Sequence, residues 1–240
     1  MNIILFDEMP QENLIPRSDE RAKHIIEILK LKEGDVFRMG IVNRSEGEAT
    51  VRAVTEEGVS IVYEPKTIPV LYPVTLLCAQ VRPICMKRIL REAVSLGVGR
   101  IVLCGSDTGE KSYLTSNLYK TGEYREYLLD GAMQSSHAGV PEVLFSDHVN
   151  QATRIINGFA TERTDRIMLD NVTGAVNLSD AAVSEEAVLA IGPERGWSDR
   201  ERKLFVESGF RPMLLGSRVL RTETACSCGT AVLLSRMGLL

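Results

Sequence analysis

Late in the chain, two apolar strand-like runs each end in a glycine turn that leads into a helix. They read Ile191-Gly192-Pro193-Glu194-Arg195-Gly196-Trp197 and Leu215-Gly216-Ser217-Arg218-Val219-Leu220-Arg221-Thr222-Glu223-Thr224-Ala225. Glycine has no Cβ to hold the main chain away from a ligand, so backbone amides and carbonyls can do the binding. Position constrains the fold as strongly as composition does. A dinucleotide-binding unit carries its glycine loop after the first strand of its domain. Here the glycines follow the last strands, which excludes that architecture.

From residue 74 onward strand and helix candidates alternate, which predicts an α/β fold with a parallel sheet covered by helices. Strands are expected at 74–80, 100–104, 142–145, 166–170, 187–191 and 212–215. A helix over about 84–96 turns Met86, Ile89, Leu90, Ala93 and Val94 inward and Lys87, Arg88, Arg91 and Glu92 outward, and stops at Gly97. A second helix is expected over about 118–136. After Trp197, Ser198 and Glu201 fit a capping box, Leu204 and Phe205 supply the buried side, and Gly209 supplies the stop. The final helix opens at Thr222-Glu223-Thr224 and runs through Ala225, Cys226, Ser227, Cys228, Gly229, Thr230 and Ala231. Small residues in series let another backbone approach closely, either a threaded loop or a second subunit.

Pro65, Pro69 and Pro73 separate this pattern from a different texture upstream, so domains are expected at 1–70 and 71–240. In the first, Ser18 caps a helix whose inner face is Ala22, Ile25, Ile26 and Leu29. Short β-rich runs at 36–42, 49–54 and 59–63 are divided by turns at Gly34-Asp35, Gly47 and Gly58, as in a small barrel or sheet.

Other function classes are disfavoured. No apolar run reaches the roughly 18 residues of a membrane span, and the start lacks a basic lead-in and long apolar stretch, so a cytosolic protein is expected. The five cysteines form no CxxC pair and the three histidines are scattered, which points to neither a zinc site nor a disulfide framework. The net charge of −4 argues against a protein that wraps nucleic acid non-specifically. The turns nevertheless sit in a locally basic stretch containing Arg195, Arg200, Arg202, Lys203, Arg211, Arg218 and Arg221. Arg200, Arg202 and Lys203 read as a solvated helix face, whereas Arg195 and Arg221 lie within the turns.

Three readings of the turns follow. They are ordinary strand-to-helix connections, or phosphate loops, or a seat for an adenosine-containing ligand walled by Ile191, Leu215, Val219 and Leu220. Phosphate binding fits worst, because neither turn carries G-x-x-x-x-G-K-[ST] and Gly97-Val98-Gly99 precedes a strand.

The two strings resemble the signature loops of the RsmE-like ribosomal RNA small-subunit methyltransferases, members of the SPOUT class. Lys87-Arg88 with Leu96-Gly97-Val98, Gln134-Ser135, Val140-Pro141-Glu142 and His24 through Gly34-Asp35 extend the resemblance over almost the whole chain. It implies a C-terminal SPOUT α/β trefoil-knot domain with a parallel sheet, preceded by a small PUA-like β-barrel for RNA. It also implies S-adenosylmethionine bent among the knotted loops, and a homodimer whose partner subunit completes the site. The implied cofactor contacts are Leu169, Asp170, Ile191, Gly192, Pro193, Glu194, Gly196, Leu215, Gly216, Ser217, Val219, Leu220 and Ala225.

The implied reaction is methylation of N3 of a specific uridine in 16S rRNA, on free RNA or on the small ribosomal subunit. That imide nitrogen attacks well only after losing its proton, and the resulting charge spreads onto the flanking carbonyls. Arg221 is therefore the candidate for anion stabilisation or phosphate positioning, and Glu223 or Glu194 for taking the proton or orienting the base. Arg17, His24, Lys30, Lys87, Arg88 and Arg195 are candidate RNA contacts. No metal is expected, since a sulfonium already carries a good leaving group. The chain departs from the family pattern at Arg195, where a glycine is usual, and at Met133-Gln134-Ser135-Ser136-His137. Those departures keep two alternatives open: a non-catalytic RNA-binding or ribosome-assembly protein, and a related methyltransferase acting on ribose 2′-OH or tRNA.

Overall fold

The computed structural model describes residues 2–173 and 176–240. The chain divides into two units, Met1–Val70 with Ala132–Val140, and Leu71–Gly131 with Pro141–Leu240.

In the first unit, strands of three to ten residues build one five-stranded sheet. β1 (Ile4–Phe6), β2 (Leu14–Pro16), β3 (Val36–Ile41), β4 (Ser45–Val54) and β5 (Gly58–Thr67) lie in the order β1-β3-β4-β5-β2. Only the β1–β3 pair is parallel. The first two strands escape a sequence reading because three residues are too few to display an alternation. Helix α1 (Glu20–Lys23) is capped by Asp19, whose side chain accepts from the Arg21 amide, so the cap is not Ser18. A π turn over His24–Ile28 follows directly. Its extra residue rotates the helix face, leaving Ala22 and Ile25 in the core and Leu29 exposed.

Gly47 is not a turn. It lies inside β4 beside a register shift, where a Cβ would stand 2.0 Å from the carbonyl oxygen of Glu64 on β5. The turn is instead Val42-Asn43-Arg44, with Asn43 at φ 57°. Residues Ala132–Val140, read from the sequence as part of the second domain, pack with the first unit. Buried Glu46 accepts the Ala138 amide at 2.6 Å, and the Asn43 side chain bonds both the amide and the carbonyl of Val140 at 2.7 and 3.0 Å.

The second unit alternates strand and helix. In order come β6 (Tyr72–Ala79), α2 (Pro83–Ser95), β7 (Val98–Cys104), α3 (Asn117–Lys120), α4 (Tyr124–Gln134), β8 (Glu142–Ser146) and α5 (Val149–Asn157). There follow β9 (Thr164–Leu169), β10 (Val176–Asn177), β11 (Glu186–Ile191), α6 (Asp199–Glu207), β12 (Arg211–Leu214) and α7 (Thr222–Arg236). The seven strands pair in parallel in the order β10-β12-β9-β11-β6-β7-β8. The last two strands each slot between strands laid down earlier, so the turns after β9, β11 and β12 emerge side by side at the carboxyl edge.

Leu77, Val102, Met168, Val188, Trp197, Phe205 and Phe210 belong to one buried cluster of this unit. Burying a side chain such as Phe205 contributes roughly 1.5–3 kcal/mol relative to leaving it in water. The expected single helix over 118–136 is two, α3 and α4, because Gly122 turns the chain at φ 78°. α6 carries the expected capping box, with Ser198 and Glu201 each bonding the other's backbone. Along α7 the buried positions Thr222, Cys226, Gly229, Thr230, Leu233 and Leu234 recur every three or four residues. A Cβ at Gly229 would meet Leu169 at 2.8 Å and Leu189 at 3.3 Å, so the small residues let α7 lie close on this unit's own sheet.

Candidate functional site

Three segments at the carboxyl ends of β9, β11 and β12, together with the start of α7, enclose one cleft. Of the residues expected to hold a cofactor, Leu169, Asp170, Ile191, Gly192, Pro193, Glu194, Gly196, Leu215, Gly216, Val219, Leu220 and Ala225 line it. Ser217 does not, although it is exposed between two residues that do. Asn171, Trp197, Arg218 and Thr222 also line the cleft and were not anticipated. Each adjoins an expected residue, and that adjacency was the available signal. Trp197 misleads because an apolar residue before a helix cap reads as core, which it also is, at 2 % exposure.

One wall is braced from several sides. A Cβ at Gly192 would touch the Trp197 ring and amide at 3.3 Å. The Thr222 hydroxyl donates to the Gly192 carbonyl at 3.2 Å, and the Thr108 hydroxyl to the Gly196 carbonyl at 2.6 Å. Fully buried Glu201 accepts the amides of Asp107 at 2.8 Å and Ser198 at 2.9 Å, tying two loops to the head of α6. Trp197 stacks edge-on against Phe205 with ring centroids 4.7 Å apart.

At the floor, Asp170 is buried, 6 % exposed, yet ionised. Burial works to raise its pKa. The Thr173 hydroxyl, the Arg202 guanidinium at 3.1 Å and the Thr173 amide outweigh that and hold it below the usual carboxylate range. Arg202 is thus engaged by Asp170 and Asp199, and is not a solvated member of the α6 face.

The opposite side is open. Gly216 sits at φ 78°, and a Cβ there would meet nothing within 4 Å. Val219 is 81 % exposed, and Arg218 and Arg221 are exposed as well. The cleft is small, about 120 Å³, with this exposed segment as its lip.

Arg221 is the N-cap residue of α7, and its side chain makes no capping bond and no ion pair among the described residues. Glu223 lies in the first turn of α7 and Glu194 in the turn after β11, yet both reach the same thiol. Burial, then the charge and hydrogen bond of Glu223 and the charge of Glu194, push the Cys85 pKa up. Glu194 also accepts from the Arg82 amide at 3.5 Å, where α2 begins. Glu194 lines the cleft, and Glu223 at the head of α7 acts on the same thiol.

The candidate RNA contacts are less uniform. Arg88 and Arg195 are exposed on the second unit, but Lys87 pairs with Glu123 at 2.6 Å and packs over Tyr127. In the first unit Arg17 is exposed and donates to the Thr55 carbonyl at 3.0 Å, and Lys30 is exposed at φ 54°. His24 keeps its Nε2 buried and unpaired. Among the described residues no cluster of His, Cys, Asp or Glu could hold a metal ion, and no helix is long and apolar enough to cross a membrane.

The fold and this cleft define the class: a parallel α/β domain with its site built from late turns. Residues 68–234 match the model of the RNA methyltransferase domain family. The chain is 36 % identical to ribosomal RNA small subunit methyltransferase E of Treponema pallidum, over 98 % of this chain and 91 % of that protein. It is 29 % identical to ribosomal RNA small subunit methyltransferase E 1 of Borreliella burgdorferi, over 99 % of both. Its fold is similar to that of the ribosomal RNA small subunit methyltransferase E from Neisseria gonorrhoeae in its S-adenosyl methionine-bound crystal structure. The TM-score there is 0.79 at 21 % identity, covering 98 % of this chain and 97 % of that one. The chain belongs to the RsmE-like family of RNA methyltransferases.

Proposed function

We propose that this protein is an S-adenosylmethionine-dependent methyltransferase acting on N3 of a specific uridine in 16S rRNA. One observation carries the reading: three turns meet at the carboxyl edge of a parallel sheet to form a cleft with bare backbone at Gly216. The main chain at Gly216 borders open space with no Cβ to narrow it, and that suits the cofactor named for the Neisseria relative. Leu169, Asp170, Ile191, Gly192, Leu215 and Gly216 would hold it. When bound, S-adenosylmethionine supplies a methyl group activated on a sulfonium.

The chain's own residues do the rest. Exposed, unpaired Arg221 at the head of α7 stabilises the negative charge that spreads over the uracil carbonyls as N3 loses its proton. Glu194 and Glu223, gathered around Cys85, accept that proton or orient the base. The thiol, with its raised pKa, stays protonated and donates to a carboxylate. Arg88 and Arg195 on the second unit, and Arg17 and Lys30 on the first, contact RNA phosphates.

The PUA-like role for the first unit, work in the cytoplasm and pairing into a homodimer belong to the same proposal. For the last, exposed Ile84, Val219 and Leu220 are apolar side chains that a second copy would cover. Mass-spectrometric nucleoside mapping of 16S rRNA from cells with and without the gene tests the reading. One 3-methyluridine should vanish on deletion. A fully methylated map without the gene would refute it, and loss of a 2′-O-methyl or tRNA mark would reassign the target.

A further inference from the structure

Outside the carboxyl ends of β6, β7 and β8 the second unit carries another pocket, of about 500 Å³, that methyl transfer does not use. Gln80, Ser106, Glu110, Leu114, Asp147 and His148 are among its lining residues. Open parallel sheets take their ligands at this end.

Gln80 is the informative residue, because it is only 2 % exposed. Its Oε1 accepts the Tyr119 hydroxyl at 2.5 Å, which sets the amide orientation and leaves Nε2 as the free end. Neither that Nε2 nor the Ser106 hydroxyl oxygen has a hydrogen-bond partner among the described residues. A buried donor left unpaired costs about 1–3 kcal/mol, so an amide held this way is matched to an acceptor that arrives from outside.

The neighbouring groups offer the complementary sense. Asp147 and Glu110 are exposed carboxylates at the rim. His148 accepts the Gln151 amide through Nδ1 at 3.2 Å, which leaves Nε2–H as a further donor. Asp107, by contrast, is held by Ser198 and Arg200, which lower its pKa. Donors beside acceptors on a planar edge are what a nucleobase presents. Guanine presents most, with O6 and N7 as acceptors and N1–H and N2–H₂ as donors.

The loop flooring this pocket is also bonded to the cleft wall, through Thr108 to Gly196 and through the Asp107 amide to Glu201. The pocket and the cleft are therefore tied to one another through that wall. We propose that this pocket is a second nucleobase subsite, taking a guanine near the modified position, with Gln80 donating to O6 and the rim carboxylates accepting from N1–H and N2–H₂. The proposal rests on the RNA methyltransferase reading above.

Crystals of the whole protein soaked with guanosine 5′-monophosphate, and in parallel with uridine 5′-monophosphate, test it without requiring turnover. Guanine should appear with O6 on Gln80 Nε2, and uridine should not occupy the pocket. Gln80→Glu keeps an oxygen for Tyr119 while turning the donor into an acceptor. In solution titrations it should weaken guanosine monophosphate binding by about tenfold or more. Ser106→Ala serves if that variant does not fold, and should weaken binding by roughly threefold to tenfold. An ordered water alone between Gln80 and Ser106, equal binding of both nucleotides, or unchanged affinity in a folded variant would overturn the subsite. An rRNA map that ignores the gene would sink the methyltransferase reading while the soak still reported on this pocket.

Discussion

The turn after β11 and the turn after β12 begin alike, with glycine just past the end of a parallel strand, and face the same cleft, yet they are built on opposite plans. Around the first, Gly192 has Trp197 at contact distance, and its carbonyl and that of Gly196 each receive a threonine hydroxyl. Around the second, Gly216 has empty space where its Cβ would be, Val219 is almost wholly exposed, and Arg221 is unpaired. Glycine serves packing in one turn and access in the other. The braced turn is a wall already shaped in the free protein, and the open turn is a lip whose exposed groups the proposed function assigns to ligand and substrate. Substitutions in the wall should therefore register as stability, and those in the lip as binding and turnover.

The largest effect should come from Gly216→Val. A β-branched side chain at positive φ costs about 1–2 kcal/mol and would also intrude on the open space at the lip, so calorimetric titration should detect no S-adenosylmethionine binding. Normal affinity would mean the lip is not the seat. Arg221→Ala comes next: turnover should fall roughly 100-fold at unchanged cofactor affinity, since the group acts on charge that develops during reaction. Equal loss of both would make Arg221 structural.

In the floor, Asp170→Asn should lower unfolding free energy by about 1–3 kcal/mol, because it leaves partly buried Arg202 with Asp199 as its remaining carboxylate partner. The pH dependence has a definite sign. Asp170 has a native pKa below its unfolded value of about 3.9, so its contribution is complete above that value and lost as pH falls through the native one. Denaturation curves of wild type and variant should converge in that acid window, and a gap that persists there would exclude the linkage. The smallest effect belongs to Gly192→Ala, about 1 kcal/mol of stability as Trp197 gives way, with turnover little changed. A selective loss of cofactor binding in that variant would blur the distinction between wall and lip.

Much of the second unit was legible because its strands are long apolar runs separated by helices with clear stops such as Gly97 and Gly209. What was not legible had no local signature. Val176–Asn177 is a two-residue strand, and Ala132–Val140 joins the first unit through partners about a hundred residues away, such as Asn43 and Glu46. Gly47 shows the limit of reading glycine as a turn, since its reason is a carbonyl on the neighbouring strand. The cleft was largely legible because the glycine strings mark its backbone. Trp197, Arg218 and Thr222 were missed because their part depends on how three distant segments meet. The pairing of Lys87 with Glu123 and Tyr127 depends likewise on how α2 and α4 pack. The knot that the family resemblance implies is a property of the whole chain path, which no periodicity expresses.

Methyl transfer as proposed requires the three turns after β9, β11 and β12 to hold the methyl donor between wall and lip. A crystal structure of the protein grown with S-adenosylmethionine tests it most directly. The ligand should lie against Leu169, Gly192 and Gly216, with the 216–220 segment closed over it and its methyl group facing Arg221. Density for the ligand elsewhere, or a cleft filled by the protein's own side chains in its presence, would contradict it.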